Sequence, residues 1–162
     1  MSRLLTFSLL IGGLPTMLMS AGELTTKKSL NLAAVKVMVA GAEAEAQKRS
    51  VDVTICIADE NATVIFLQKG GDRANINTLQ YAQKKARHAA LYGSPSKNAQ
   101  DQLKAGDISV LIRPEAFANQ GGLPIKVDGR TIGGISASGA ASEIDEAIAQ
   151  AGIDALMAWL KP

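Results

Sequence analysis

The sequence is poor in the residues from which metal and redox sites are usually built. It contains one histidine, His88, and one cysteine, Cys56, among 162 residues. A structural zinc site needs about four such ligands, and an intramolecular disulfide needs two cysteines, so both are excluded. Cys56 lies within the β-branched run VDVTICIAD. A small buried thiol is the usual interpretation of a cysteine in such a strand, and it is favoured here over a redox role.

An excess of charge of one sign is also lacking. Lys and Arg total 17 against 15 Asp and Glu, and the two signs alternate along the chain. No basic stripe forms, which excludes nucleic acid as a partner. The chain has neither a G-x-G-x-x-G motif nor a P-loop, and no nucleophile elbow, so phosphate cradling and a hydrolase receive no support. Aromatic residues make up only 4%, against 47% hydrophobic residues in total, which indicates a globular core of Ala, Val, Ile and Leu.

The long apolar run of the chain is at its beginning. Arg3 precedes LLTFSLLIGGLPTMLM, and the small residues Ser20, Ala21 and Gly22 follow. This pattern predicts a signal peptide over residues 1–21 and a single mature domain over 22–162, periplasmic or secreted from a bacterium. The run is shorter than a spanning helix and is broken by glycine and proline, so no membrane span is expected after signal removal. The alternative is an apolar helix that stays attached and packs on the protein.

Hydrophobic periodicity predicts an α+β fold with helices on an antiparallel sheet. A helix follows Thr25 or Thr26 and is followed by a hairpin formed by VDVTICIAD and ATVIFLQKG. A second helix spans about 76–92 and is stopped by Gly93, and the next stretch is read mainly as loop. A strand then begins at ISVLI and breaks at Pro114. The chain ends with a hairpin around Asp128-Gly129 and a helix from about Ser142.

The second helix carries the most informative side chains. At about 100° per residue, one face collects Leu79, Ala82, Ala86, Ala89 and Ala90 and is predicted to pack on the sheet. Another face collects His88, Tyr81 and Tyr92, with Asn77 and Lys85, and is predicted to point outward. Imidazole and phenolate are ligands of ferric haem, and the cations Lys84, Lys85 and Arg87 could meet its propionates. The alternatives are a tyrosine interface between protein copies and acid–base chemistry by His88.

Two carboxylates begin the last helix. Glu143 and Glu146 lie one turn apart in SEIDEA. The helix dipole favours acidic residues at this end whatever the function, which is the leading explanation. A surface iron or calcium site is the alternative, although two carboxylates alone bind metal weakly.

Three motifs in order resemble one protein family. KKARHAALYGSPS, NQGGLPIKVDGRTIGGISASGA and EIDEAIAQAG are similar to segments of the GlcG/HbpS-like haem-binding family. A related domain forms the C-terminal part of some cobalamin adenosyltransferases. The similarity runs from about Leu30 to Leu156. It implies a profilin-like fold of about five antiparallel strands flanked by helices, assembly into homo-oligomers, haem as cofactor, and in secreted members a sensor kinase as partner.

The chain departs from the family pattern at two places. The residue after KAR is usually threonine in the family, and this region lies near the iron in a haem-binding member, whereas here the residue is His88. Histidine is a far stronger iron ligand than a hydroxyl, so the substitution favours haem binding. The loop QKGGDRAN replaces the usual family sequence, and no ligand contact is carried over to it.

Three functions are consistent with these observations. The first is an exported protein for haem storage, sensing or scavenging, in which His88 ligates iron, Tyr81 or Tyr92 assists, and Lys84 and Arg87 meet the propionates. The second is an enzyme or accessory factor acting on an organic acid or aromatic catabolite. In it His88 would be the general base and the amides near Gly121 and Gly122 would hold a carboxylate. The third is a structural oligomer in which the tyrosines form the interface.

Overall fold

Four α-helices and four β-strands follow one another along residues 24–161, the part of the chain that the computed structural model describes. The predicted signal peptide over residues 1–21 lies outside the described residues. The elements, in chain order, are α1 Leu32–Lys48, β1 Thr54–Asp59, β2 Val64–Gln68, α2 Thr78–Tyr92, α3 Ser96–Lys104, a 3₁₀ turn Ile108–Ile112, β3 Gly122–Val127, β4 Arg130–Ser138 and α4 Ser142–Trp159. Within residues 24–161, no helix combines the length and apolar character needed to cross a bilayer.

The strands form one antiparallel sheet in the order β2-β1-β4-β3. Both predicted hairpins are present. Asp128 and Gly129 adopt positive φ angles of 50° and 75°, as a tight two-residue turn requires. The α+β class is therefore confirmed, although the sheet that the structure describes has four strands where about five were predicted.

Helices cover both faces of the sheet. On one face α1 and α4 bury an aliphatic core that includes Met38, Ile57, Ile135 and Leu156. On the other face α2 packs its alanines against Cys56 and Ala58. Gly134 permits this close packing, because a Cβ atom there would lie 2.2 Å from the carbonyl oxygen of Ala86. The alanine-rich face of α2 was correctly predicted to contact the sheet.

The predicted strand at ISVLI is wrong. Residues Ile108–Ile112 form a 3₁₀ turn instead. The Asp107 carboxylate accepts a hydrogen bond from the Ser109 amide at 3.0 Å and another from Arg113 at 3.1 Å, which closes the chain locally. Only Val110 of the run is buried, and the exposed fraction of Ile112 reaches 85%. Local side-chain capping thus prevails over the β preference of the run.

Two other helix boundaries differ from prediction. Helix α1 begins at Leu32 and not after Thr25 or Thr26, because the Asn31 carboxamide caps it and accepts a hydrogen bond from the Ala34 amide at 2.9 Å. The stretch after Gly93, predicted as loop, contains the nine-residue helix α3. Gly93 itself ends α2 with a left-handed φ of 59°, as predicted.

Candidate functional site

The outer side of α2 is covered by residues 113–119, which we call the cover segment. It runs from the 3₁₀ turn toward β3 without regular secondary structure. Every side chain on α2 that was predicted to ligate or pair with haem contacts it, apart from the buried Lys85. The partners are Phe117 for Tyr81, Lys84 and His88, Glu115 for Arg87, and Pro114 for Tyr92. The structure therefore brings the predicted residues together, but beneath a protein segment.

The cover segment buries His88. The exposed fraction of this residue is 4%, so it does not point outward into an open pocket shared with both tyrosines, as was predicted. The helical projection treats α2 as an isolated cylinder with one packed face. In the folded protein a segment about 29 residues later in the chain packs on the opposite side. The tyrosines beside it keep more of their surface, with exposed fractions of 41% for Tyr81 and 37% for Tyr92.

One hydrogen bond and the burial of His88 indicate the protonation of its ring. The Phe117 amide donates to Nδ1 over 3.1 Å, so Nδ1 carries the lone pair and the proton of the neutral ring lies on Nε2. Burial, and secondarily the positive charge of Arg113, lowers the pKa of His88 below its ordinary value. Nε2 is buried and has no hydrogen-bond partner among the described residues. His88 thus holds a neutral ring with one nitrogen occupied and one unsatisfied.

The cavity beside His88 is small. Its volume is about 40 Å³, and its walls include Tyr92, Asn98, Gln102 and Arg113. One water molecule takes up about 30 Å³ in the liquid. A porphyrin therefore does not fit beside His88 while the cover segment is in place. A larger cavity of about 400 Å³ lies between residues 25–28 and the β3–β4 turn, and none of the predicted haem residues lines it.

The two tyrosines flank His88 on α2, but only Tyr92 lines the cavity beside it. The rings of Tyr92 and His88 are tilted by 33° with centroids 4.9 Å apart, and the Tyr92 hydroxyl donates to the carbonyl oxygen of Pro114. Tyr81 lies about two helical turns away, where its ring centroid is 5.7 Å from that of Phe117. Tyr92 therefore lies in contact with the imidazole, and Tyr81 contacts the other end of the cover segment.

The cations predicted to meet propionates have protein partners. The Lys84 ammonium lies 5.5 Å from the centroid of the Phe117 ring, within range of a cation–π interaction. Arg87 donates to the Glu115 carboxylate over 2.9 Å. Both partners belong to the cover segment, so both cations would become available together if that segment moved.

The sequence interpretation missed a buried ion pair. Lys85 was placed on the outward face, but its exposed fraction is 2%, and its ammonium lies 2.9 Å from the Asp145 carboxylate of α4. It also donates to the Ala137 carbonyl at 3.2 Å. Spacing could have indicated this burial. Lys85 lies three residues after Ala82 and four before Ala89, and Asp145 lies three before Ile148, so both continue buried stripes.

The glycine pair before β3 is a packing feature. The Gly122 amide donates to the Ser96 hydroxyl over 3.0 Å, so it is already occupied. A Cβ atom on Gly122 would lie 2.3 Å from the Lys85 carbonyl oxygen, which explains why this position has no side chain. Gly121 lies beside the Lys85–Asp145 pair. The two glycines thus allow β3 to pack closely on α2. Of the two amides suggested to hold a carboxylate, those of Gly121 and Gly122, at most that of Gly121 is free.

The other candidate centres gain little from the structure. Burial raises the pKa of the Cys56 thiol to about 12, so it is an unreactive core residue, as predicted. Within residues 24–161, no group of three or more His, Cys, Asp or Glu side chains is placed to hold a metal ion. Glu143 lies in the first turn of α4, in keeping with the helix-dipole explanation.

Comparison with known sequences identifies relatives of this chain. The family described as "Haem degrading protein HbpS-like" matches residues 30–154. Protein GlcG of Escherichia coli K12 is 31% identical over 113 residues, which cover 70% of this chain and 84% of GlcG.

Solved structures show the same fold. A variant of HbpS from Streptomyces reticuli is 27% identical, with a TM-score of 0.75 and coverage of 88% of this chain and 94% of its own. The PduOC:heme complex is 26% identical, with a TM-score of 0.72 and coverage of 79% and 95%. A Klebsiella pneumoniae protein, ORFY, shares the fold at a TM-score of 0.77 and 22% identity, covering 86% and 99%. The sequence match over residues 30–154 and these shared folds establish that this chain belongs to the HbpS-like family.

Proposed function

We propose that this protein binds haem at the outer side of α2, with His88 as the iron ligand. The observation that carries the proposal is the unpartnered Nε2 of His88, a buried nitrogen without a hydrogen bond among the described residues. Such an atom costs about 1–3 kcal/mol unless a ligand or water satisfies it. The PduOC:heme complex, a structure of a similar protein, contains haem. When bound, haem would supply a redox-active iron.

The residue types suit haem, but neither the hydrogen bonding of His88 nor the space beside it suits haem while the cover segment is in place. A histidine that ligates metal through Nε2 usually donates the proton on its other nitrogen. Here Nδ1 accepts the Phe117 N–H, so ligation through Nε2 is incompatible with that hydrogen bond. The volume of about 40 Å³ leads to the same conclusion. Haem binding at His88 therefore requires the cover segment to leave α2.

Displacement of the cover segment would release several groups together. Its bonds to Arg87 and Tyr92 lie at the surface, and its Phe117 ring rests against Tyr81 and Lys84. The two ion pairs of the segment, Arg87–Glu115 and Arg113–Asp107, are each about 40% exposed on both sides, so they hold it weakly. A segment held in this way is expected to open at modest free-energy cost. The same movement exposes two aromatic rings and two cations around His88.

The test is a hemin titration followed by Soret absorbance. We expect His88→Ala to lower hemin affinity at least about tenfold and to shift the Soret band, because an axial ligand is lost. Asn98→Ala is the matched control, since Asn98 lines the same cavity and its side chain has no hydrogen bond to the imidazole or to the cover segment among the described residues. Equal affinity and an identical spectrum for His88→Ala and the wild type would remove His88 from the site.

Movement of the cover segment is tested separately. We expect hemin to abolish the protection of the Phe117 amide against hydrogen exchange, since its acceptor is His88 Nδ1. The Ala34 amide, which bonds Asn31 at the start of α1 and is distant in sequence from the cover segment, serves as the internal control. Tight hemin binding with full protection at Phe117 would place the haem elsewhere on the protein.

We further infer export and self-assembly for the mature protein. The apolar stretch after Arg3 and the small residues 20–22 support cleavage of a signal peptide. Exposed apolar side chains support a protein contact, among them Ile108, Leu111 and Ile112 of the 3₁₀ turn. N-terminal sequencing of protein recovered outside the cytoplasm tests the first inference, and light scattering tests the second. An uncleaved N-terminus, or a monomer at high concentration, would contradict the respective inference.

A further inference from the structure

The small cavity beside His88 lies where α2, α3 and the cover segment meet, and its lining has a marked charge character. Six of the described residues contribute polar side chains, and none of the six is acidic: His88, Tyr92, Ser94, Asn98, Gln102 and Arg113. The guanidinium of Arg113 carries the one full charge among them. The cavity is therefore polar and biased toward positive charge while the cover segment is in place.

The most exacting group in this cavity is Nε2 of His88. Because Nδ1 accepts the Phe117 N–H, the proton of the neutral ring lies on Nε2, which is a hydrogen-bond donor in the closed form. This donor is buried and has no acceptor among residues 24–161. A buried donor without an acceptor is costly. An acceptor bound beside Nε2 would therefore stabilise the closed form.

Neighbouring groups favour an acceptor with negative charge. Arg113 donates to the carboxamide oxygen of Gln102 over 2.9 Å, so that amide is left with its N–H donors. The Asp107 carboxylate pairs with Arg113 but does not line the cavity. At the imidazole the positive charge prevails, since Arg113 adds to burial in lowering the pKa of His88. An anion would meet one cation and several donors in this cavity.

The volume limits the size of the anion. About 40 Å³ admits one water molecule or a halide ion, which is little larger. A water molecule has two protons of its own to place among these donors, whereas a halide only accepts. Carboxylates and phosphates have several heavy atoms and do not fit. We therefore propose that this cavity binds one chloride-sized monovalent anion, held by the Nε2–H of His88 and the guanidinium of Arg113.

The bound anion stabilises the closed position of the cover segment. It is held by the tautomer of His88 that accepts the Phe117 N–H, and Arg113 belongs to the cover segment itself. The anion therefore binds the closed form in preference to the open one. A ligand that binds one form shifts the population toward that form as its concentration rises. This inference concerns the closed form alone and does not rest on haem binding.

The experiment measures hydrogen exchange of the Phe117 amide in the full mature protein while sodium chloride replaces sodium gluconate at constant ionic strength. We expect exchange to slow about twofold at the chloride concentration that half-fills the site, and in proportion to chloride beyond it. The Ala34 amide, capped by Asn31, should not respond. Equal exchange of Phe117 in the two salts would overturn the proposal, with water then the occupant of the cavity.

A matched pair of variants tests the position of the anion. Gln102→Glu puts a negative charge on the cavity wall and should abolish the chloride effect at Phe117. Gln102 is exposed on α3, and glutamate is a good helix former, so the fold is expected to persist. Gln80→Glu makes the same change at an exposed position of α2 outside the cavity and should keep the effect. A chloride effect that survives in Gln102→Glu would show that the anion binds elsewhere.

Discussion

Lys85 and His88 lie three residues apart on α2, and both are nearly fully buried, yet their surroundings differ in kind. The ammonium of Lys85 bonds a carboxylate and a carbonyl held by α4 and β4. The imidazole of His88 bonds one amide of an irregular segment and leaves Nε2 without a partner. Burial alone therefore does not distinguish the two groups. They differ in whether every buried polar atom has a partner and in whether the partners belong to regular secondary structure.

The largest effect is expected at the buried Lys85–Asp145 ion pair. Lys85→Met leaves the Asp145 carboxylate buried without its cation, which should lower the free energy of unfolding by about 3–5 kcal/mol. Urea denaturation measures it. The control is Lys97→Met, which breaks an exposed pair with Asp101 within α3 and should leave the free energy of unfolding nearly unchanged. Similar losses in the two variants would mean that the buried pair is not a stabilising anchor of α2.

The next effect is expected on the cover segment. Phe117→Ala removes the ring that contacts Tyr81 and lies beneath Lys84, and should ease opening of the segment by about 1–2 kcal/mol. Hydrogen exchange of the amide at position 117 reports this opening, and hemin association should become faster. Leu111→Ala, which trims an exposed side chain of the adjoining turn, is the control. Unchanged exchange at position 117 would show that the ring does not hold the segment.

Acidification should also loosen the cover segment. Because the pKa of His88 is lowered in the folded protein, the unfolded or opened state binds more protons as pH falls below the ordinary histidine pKa of about 6.5. The contribution of His88 to closure is therefore complete above that pH and is lost as pH falls toward its lowered value. Protonated Nδ1 can no longer accept the Phe117 N–H. The Phe117 amide, corrected for intrinsic exchange, should lose protection below about pH 6.5.

The charged neighbours are controls for this pH effect. Arg113 disfavours protonation of His88, whereas Glu115 and Arg87 face each other at the edge of the segment. His88→Gln should remove most of the pH dependence at Phe117. If the dependence persists unchanged in that variant, carboxylates such as Glu115 are its source and His88 is not.

The smallest effect is expected at the exposed rim. Glu115→Gln breaks the ion pair with Arg87, whose members are 37% and 41% exposed, and should ease segment opening by less than about 1 kcal/mol. Salt should reduce the difference from the wild type, because screening weakens exposed pairs. A larger decrease in the free-energy cost of opening, unchanged by salt, would place Glu115 among the principal contacts of the cover segment and not at its rim.

Much of the fold follows from local patterns in the chain. The two hairpins, the alanine face of α2, its glycine stop and the buried Cys56 all depend on spacing and turn chemistry within a few residues. The same patterns failed at ISVLI, where hydrogen bonds to the Asp107 carboxylate form a 3₁₀ turn. They also failed at the start of α1, where Asn31 is a better placed cap than either threonine. Competing local hydrogen bonds are invisible to hydrophobic periodicity.

By itself, the sequence determined the residue types of the candidate site and the class of the fold. It placed His88, Tyr81 and Tyr92 on one side of a helix, because helical geometry is local. Only the tertiary structure decided that the cover segment buries His88, and that α4 brings Asp145 to Lys85 from 60 residues away. Contacts between distant parts of a chain depend on how all elements pack at once. A helical projection contains the angles of side chains but not the neighbours that cover them.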